Sequence, residues 1–386
     1  MDSQQLFILS ADEAARRIAK VVAQMQREGA DMVLLTDNAD KYYVTGRVFA
    51  GWLTVAADGR VHAFVRRPVH LAGDDITFVR KVEEVELSGD VIGLELNTLP
   101  AADYLRIDAM LAGRKVVNAS TVMRRARAVK TSAEIEKIAE SGRRQEAVYR
   151  NIATLYRPGM SDLDLQIEIE RALRKAGCLG QFRISGDSME LFMGNILVGD
   201  NADNPTPYDF AMGGAGVDPS LPVGADGTVI APGESVMVDA NGNFTGYMTD
   251  MTRTYALGGL SELACCAHDC SIAICEALAA AGVPGTKASA LYEEARRIAC
   301  EAGLEEYFMG HRQHAGFVGH GVGIEINELP VIAPRSRDIL EAGNVIALEP
   351  KFVIPGTGAV GIENTYVVEE NGMRCLTNAP TEILPL

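Results

Sequence analysis

Only one tryptophan and six histidines occur in this chain of 386 residues, and 36 Lys and Arg face 52 Asp and Glu. The formal net charge is −16. That deficit of positive charge opposes binding to nucleic acid or to an anionic membrane surface, both of which require basic patches. The opening segment, MDSQQLFILSADEAARR, has no basic n-region and no long apolar run, so no secretory signal is expected in it. No run of about 18 or more apolar residues occurs, so no membrane span is expected. The seven cysteines are odd in number, and four crowd into CCAHDCSIAIC (Cys265, Cys266, Cys270, Cys275). Such usage fits reduced thiols in the cytoplasm rather than a disulfide framework. Cys266, His268 and Cys270 match no familiar zinc spacing, and plain buried thiols on a helix are expected there.

What is present is an ordinary globular composition, 47% hydrophobic and 23% charged, long enough for two domains. Ser10 with Glu13 forms a capping box for a first helix, and Gly29 stands where that helix should stop. Four β-rich runs follow, DMVLLT, YYVTG, GWLTVAADGRVHAFV and VIGLEL, broken by Gly, Asp and Asn. Residues 1–122 are therefore expected to form a small α/β domain. RRARAVKTSAEIEKI then begins a long helix, with Thr131 and Glu134 as a second capping box, and residues 123–386 form the second domain.

The second domain carries a faint internal repeat. Pro158-Gly159 maps onto Pro284-Gly285, and Ala176-Gly177 maps onto Ala302-Gly303, at one common offset. Each unit reads as helix, Pro-Gly turn, amphipathic helix, Ala-Gly stop. Each is followed by a strand pair with two acids: Asp239 and Asp250 in the first half, Glu349 and Glu363 in the second. The expectation is two related halves about a pseudo-two-fold, with the acids facing one central site. His320 lies between glycines in FVGHGVGIEINELP, where the backbone can turn tightly and a ligand can come close. VMVD and VIALEP place acids at the ends of apolar strands, and a buried acid needs a partner. Arg253 and Lys351 are the few cations nearby. Four carboxylates in one pocket cannot all stay ionised alone. Two divalent cations about 3.5–4 Å apart would neutralise them and generate a hydroxide near neutral pH. Mostly oxygen ligation with one imidazole suits manganese, and allows iron, cobalt or zinc.

These segments, VMVDANG…MTDMTRTY, GHGVGIE…ELP, ALEP and GIENTYVV, resemble the metal-site motifs of the pita-bread metallopeptidases. That family includes methionine aminopeptidase, Xaa-Pro aminopeptidase, prolidase and creatinase. The resemblance implies an α/β (α+β) chain with a small creatinase-type N-terminal domain, which GADMVLLTDNADKYYVTG also resembles, and a pita-bread catalytic domain. It implies Asp239, Asp250, His320, Glu349 and Glu363 as ligands of a dinuclear centre, with Asp250 and Glu363 bridging. The presence of the N-terminal domain points to the prolidase and Xaa-Pro aminopeptidase branch. A bridging hydroxide would then attack the scissile carbonyl of a small peptide, with one metal binding its free amine and Glu349 shuttling the proton. The family also implies a homodimer, with the N-terminal domain of one chain closing the site of the other.

The resemblance breaks around the site. Thr206, in GDNADNPTPYD, stands where the family's peptidases carry a histidine. Asn327, in EINELP, replaces a second histidine, and Gly361 replaces an arginine two residues before the last glutamate. Asn327 can still donate to an oxyanion but cannot move a proton. His311 and His314 precede the His320 loop and are candidates to reach the site, His314 as a substrate contact. The glycine-rich MGGAGVDPSLPVG has no following Lys-Ser/Thr, so it is a loop near the pocket rim rather than a phosphate cradle. Trp52 either belongs to the N-terminal core, the commoner place for a single tryptophan, or lines a pocket, and the sequence does not decide between them. Three functions remain in view: an Xaa-Pro-type peptidase, a dinuclear enzyme acting on a non-peptide substrate (amide hydrolase or lyase), and a scaffold that only binds. The third is the weakest, since all five ligand positions are kept.

Overall fold

Helix α1 (Ala11–Glu28) begins where Ser10 accepts a hydrogen bond from the Glu13 amide, and it stops at Gly29 in the left-handed region (φ 69°). The computed structural model describes residues 4–186, 192–208 and 210–386, so residues 1–3 of the opening segment and Asp209 of GDNADNPTPYD lie outside it. The chain divides into two compact units, Met1–Thr131 and Ser132–Leu386.

In the first unit β1 (Met32–Leu35) leads into α2 (Asn38–Thr45). The β-rich reading of YYVTG is corrected here: Tyr42 to Thr45 are helical. Asp37 caps the helix by accepting from the Ala39 amide at 2.6 Å, and Gly46 closes it in a left-handed turn (φ 80°). Two good caps plus burial of Tyr43 and Val44 override the local β preference. Strands β2 (Ala50–Ala56), β3 (Val61–Arg67), β4 (Ile76–Phe78), β5 (Val91–Leu94) and β6 (Lys115–Asn118) complete a mixed sheet in the order β4-β3-β2-β1-β5-β6. Helix α3 (Ala101–Leu111) covers one face through Ile107 and Leu111. Trp52 packs half-buried against that same core, with the Arg66 guanidinium over its ring. Helix α4 (Ala119–Ala128) packs on α1, and its Arg127 pairs with buried Asp40 at 2.7 Å. This unit therefore runs to Thr131, past the expected boundary near residue 122, and RRARA ends α4 instead of starting the next helix.

The second unit begins with α5 (Ser132–Tyr149) and α6 (Asp162–Lys175), joined through a turn with Gly159 at φ 88°. Next come β7 (Gly194–Val198) and a long hairpin, β8 (Ser235–Asn243) with β9 (Met248–Ala256). The pattern then returns: α7 (Glu262–Ala281), a turn with Gly285 at φ 91°, and α8 (Ala288–Glu301). Strands β10 (Gly319–Gly321), β11 (Glu328–Ile332), β12 (Val345–Leu348), β13 (Lys351–Ile354), β14 (Gly358–Gly361), β15 (Asn364–Glu369), β16 (Gly372–Cys375) and β17 (Leu384–Pro385) follow. They form a four-stranded sheet β17-β9-β8-β7, a five-stranded sheet β11-β10-β12-β15-β16 and the separate pair β13-β14.

Helix α7, with 20 residues, is long and apolar enough in composition to cross a membrane. Here it lends Ala264, Ala267, Ile274, Cys275 and Leu278 to the core of the second half. All seven cysteines are unpaired; Cys270 and Cys275 on this helix are buried, whereas Cys266 is exposed. His268 on the same helix bonds through Nε2 to the Thr381 carbonyl at 2.7 Å.

Candidate metal centre

Period-two alternation sorts the hairpin into two faces. Val236, Val238, Ala240, Met251 and Tyr255 pack into the apolar core with residues of α5 and α6. Asp239, Asn241, Asp250 and Thr252 fall on the opposite face, because Asp239 pairs with Thr252 and Asn241 with Asp250. The hairpin is pinned from behind by α5: Tyr149 donates to the Met251 carbonyl at 2.6 Å, and Ser141 to that of Tyr247 at 2.8 Å. The acids are thereby carried on a rigid support.

The second half brings its two acids to the same place. Glu349 immediately follows β12 and Glu363 immediately precedes β15, and those strands pair at Leu348 with Asn364. Backbone bonds then dock the halves. The Asp250 amide donates to Thr365 Oγ1 at 2.9 Å, and that hydroxyl donates to the Asp250 carbonyl at 2.9 Å. Thr252 Oγ1 donates to Glu363 Oε2 at 2.7 Å. His320 enters on β10, between β11 and β12. Its flanking glycines are needed for strand packing rather than ligand approach. A Cβ on Gly319 would meet the Ala347 carbonyl oxygen at 2.5 Å, and one on Gly321 the Leu329 carbonyl oxygen at 2.2 Å. His320 Nδ1 lies 3.1 Å from the Gly321 carbonyl, which leaves Nε2 facing the acids, 3.2 Å from Glu349 Oε1. The bond at Nδ1, to the Gly321 carbonyl, sets the tautomer a metal-ligating imidazole needs.

All five ligand positions thus converge, and they form two overlapping groups. Asp250, His320 and Glu363 offer atoms within 4.8 Å of one another, and so do Asp239, Glu349 and Glu363. Burial is deep: side-chain exposure is 1% for Glu363, 5% for Glu349 and 12% for Asp250 and His320. Burial, then the Glu363 charge beside it, pushes the Asp250 carboxyl well above the usual range. Burial and neighbouring Glu349 push Glu363 up to about 8. Glu349 goes the other way: burial opposes ionisation, but Lys351 and His320 overcome it and hold Glu349 at about 2. His320 rises to about 9, because its bond to Glu349 outweighs burial.

The first group suits a divalent ion with oxygen and imidazole preference. In the second group the Lys351 ammonium stands among the same three acids, 2.8 Å from Asp239, 2.9 Å from Glu349 and 3.3 Å from Glu363. The residues therefore fit one ion without rearrangement, and the second position is contested. The other nearby cation, Arg253, serves backbone instead, with donors on the carbonyls of Thr252, Glu363, Ala379 and Pro380. The sequence shows Lys351 only as a nearby cation; its placement is set by the fold, because Glu349 and Pro350 lie between β12 and β13 and Lys351 opens a separate strand pair.

The departures from the family pattern are built in. Asn327 clamps Ser185, donating to its carbonyl at 2.6 Å and accepting from its amide at 2.7 Å. Gly361 (φ 134°) has no room for a side chain, since its Cβ would meet the Pro350 carbonyl oxygen at 2.8 Å. Thr206 donates to the Pro222 carbonyl at 2.9 Å. His311 bonds to Asp203 at 2.9 Å, and exposed His314 to the Phe308 carbonyl at 2.9 Å.

Comparison with known proteins agrees with this geometry. The model of metallopeptidase family M24 matches residues 136–370, and that of the creatinase/prolidase N-terminal domain matches residues 17–129. The chain belongs to metallopeptidase family M24. It is accordingly a hydrolase of the metallopeptidase class, for which divalent metal is implied. Among M24 relatives, an uncharacterized peptidase of Bacillus subtilis, YqhT, is 29% identical over 93% of this chain and 96% of its own. An Xaa-Pro dipeptidase of Lactobacillus delbrueckii subsp. lactis is 28% identical over 75% of this chain and 71% of its own. The prolidase from Pyrococcus horikoshii OT3 shares the two-domain fold, with a TM-score of 0.78 at 22% identity over 94% of this chain and 98% of that one.

The protonation pattern gives this M24 site a testable pH dependence. Asp250, His320 and Glu363 all hold protons more tightly than usual, so a cation entering among them must displace protons at pH 7. Calorimetric titration with Mn²⁺ in two buffers of different ionisation enthalpy should show net proton release at pH 7. The release should fade, and affinity level off, as pH rises through about 9, where His320 and Glu363 have lost their protons. Affinity that is flat from pH 6 to pH 9 would contradict the assignment.

Proposed function

We propose that this M24 hydrolase cleaves the first amide bond of small Xaa-Pro peptides, as a dipeptidase or aminopeptidase. The observation that carries the reading is the convergence of Asp239, Asp250, His320, Glu349 and Glu363 in one cluster, with Asp250, Glu349 and Glu363 buried and Asp239 and His320 half-buried. A relative named as an Xaa-Pro dipeptidase supports the substrate class. Asp250, His320 and Glu363 would hold a divalent ion, manganese first and cobalt, iron or zinc as alternatives, which would supply the positive charge to polarise a carbonyl and acidify water. Glu349 stays ionised and accepts the proton of the attacking water, passing it to the leaving nitrogen. Lys351 holds Glu349 and Thr252 holds Glu363, so both acids are oriented while His320 Nε2 is kept for the ion. The unpaired thiols support a reducing compartment, and with it the cytoplasm. A homodimer belongs to the same reading through the family resemblance.

The test is a panel of Xaa-Pro dipeptides and tripeptides offered to chelated protein reloaded with manganese. Cleavage is expected, and Glu349→Gln should lower kcat by about 10²–10⁴-fold. No cleavage of any member would remove the peptide assignment.

A second reading has its own support. The Lys351 ammonium lies among Asp239, Glu349 and Glu363, the group that could otherwise hold a second ion. Asn327 is engaged with Ser185, and Gly361 has no space for a cation. A non-peptide amide, or a substrate of a lyase reaction, would suit such a chamber. Turnover of non-peptide amides without turnover of peptides would select this reading.

A further inference from the structure

We infer that Lys351 is a built-in replacement for one of the two cations that the five ligands would otherwise hold, so that the centre takes up a single divalent ion at Asp250, His320 and Glu363. This rests on the metal-site reading above and narrows it. Lys351 is the first residue of β13 and is fully buried. Its Nζ contacts Asp239 Oδ2, Glu349 Oε2 and Glu363 Oε2. Those acids are the very three that could hold the second ion. An ammonium offers three donors and no acceptor, and here each donor has one carboxylate. The contact is therefore saturated.

The stem is held as firmly as the head. Lys351 pairs across the strand with Gly361, the position where the family resemblance leads one to expect arginine. A Cβ on Gly361 would lie 3.2 Å from Lys351 Cα, so the absence of a side chain on β14 lets the two strands close. The Lys351 carbonyl accepts from the Met309 amide at 2.8 Å, which fixes the strand from the other side. One cation is missing at 361, and another arrives directly opposite.

Charge points the same way. Asp239, Asp250, Glu349 and Glu363 bring four negative charges at most. The ammonium and one divalent ion leave a single negative charge on the chamber. The ammonium and two divalent ions would make it positive, with like charges sharing the same carboxylates in a buried space where such repulsion is strong.

The experiment counts ions. Native protein, Lys351→Ala and Asp239→Asn are stripped with chelator, reloaded with excess Mn²⁺, desalted, and analysed for manganese per chain and by electron paramagnetic resonance. Native protein is expected to retain about one ion with the signal of an isolated Mn²⁺. Lys351→Ala is expected to retain about two, with the signature of an exchange-coupled pair. Asp239→Asn should match the native count, since Asp239 serves only the position that Lys351 fills, and this arm decides the matter if Lys351→Ala fails to fold. Two coupled ions in native protein would overturn the inference, and so would one ion in both native protein and Lys351→Ala. Two ions together with peptide cleavage would overturn the inference and leave the proposed function standing. One ion without cleavage of any peptide would do the reverse.

Discussion

Asp250→Asn is expected to empty the metal centre and to lower activity on any accepted substrate on the order of a thousandfold. The Asp250 backbone is also tied to the other half, through both bonds to Thr365. Asparagine keeps those bonds and the side-chain volume, so the hairpin should stay in register. What changes is charge: the amide cannot neutralise a divalent ion, and it turns a donor toward Glu363. Elemental analysis should find less than a tenth of the native manganese, while circular dichroism and the melting temperature of the metal-free protein stay near native. Retention of native metal content would mean that Asp250 is only a neighbour of the site. The contrast with Asp239→Asn makes the comparison sharp, because the two aspartates lie on one hairpin face and only Asp239 meets Lys351 within hydrogen-bond distance.

Arg253→Met is expected to destabilise the second unit by about 3–5 kcal/mol, although Arg253 contacts no ligand side chain of the centre. The guanidinium is fully buried, and its donors reach Pro380 at 2.6 Å, Thr252 at 2.7 Å, and Glu363, Ala379 and Asn364 at 2.8 Å. Methionine fills much of the volume but leaves several buried carbonyls without a donor, and each such loss costs about 1–3 kcal/mol. The melting temperature should fall by roughly 10 °C. Arg253→Lys should recover only part of the loss, because a single ammonium cannot reproduce the flat fork of five donors. Two of the accepting carbonyls belong to Thr252 and to the ligand Glu363, so metal affinity should fall in parallel with stability. A native melting temperature in Arg253→Met would show that water replaces those donors without cost.

The candidate centre was legible because its parts sit at the ends of apolar strands. VMVD and VIALEP read as buried runs closing on a carboxylate, and a buried carboxylate demands a counter-charge whatever the fold. His320 stood out by its glycine frame, but the reason for the frame was hidden. Gly319 and Gly321 are required by carbonyls on neighbouring strands, Ala347 and Leu329, which are distant in sequence. The helix over Asn38–Thr45 was misjudged for the opposite reason. Tyr42 to Thr45 favour strands by side-chain type, while the N-cap Asp37 lies outside YYVTG and Gly46, inside it, serves as a helix stop.

The sequence by itself determined the two-unit organisation, the duplicated helix-turn-helix pattern and the five ligand types, because each is written in local periodicity, turn residues and spacing. Tertiary structure alone decided how the charges are shared. Both Arg253 and Lys351 looked like partners for buried acids; the fold turned one toward carbonyls on the far face of the hairpin and the other into the acid cluster. Strand alternation sets the side a residue faces, but only the packing of two distant hairpins sets what it meets there. One lysine lies 2.8 Å from an aspartate more than a hundred positions away, a meeting that only the fold produces.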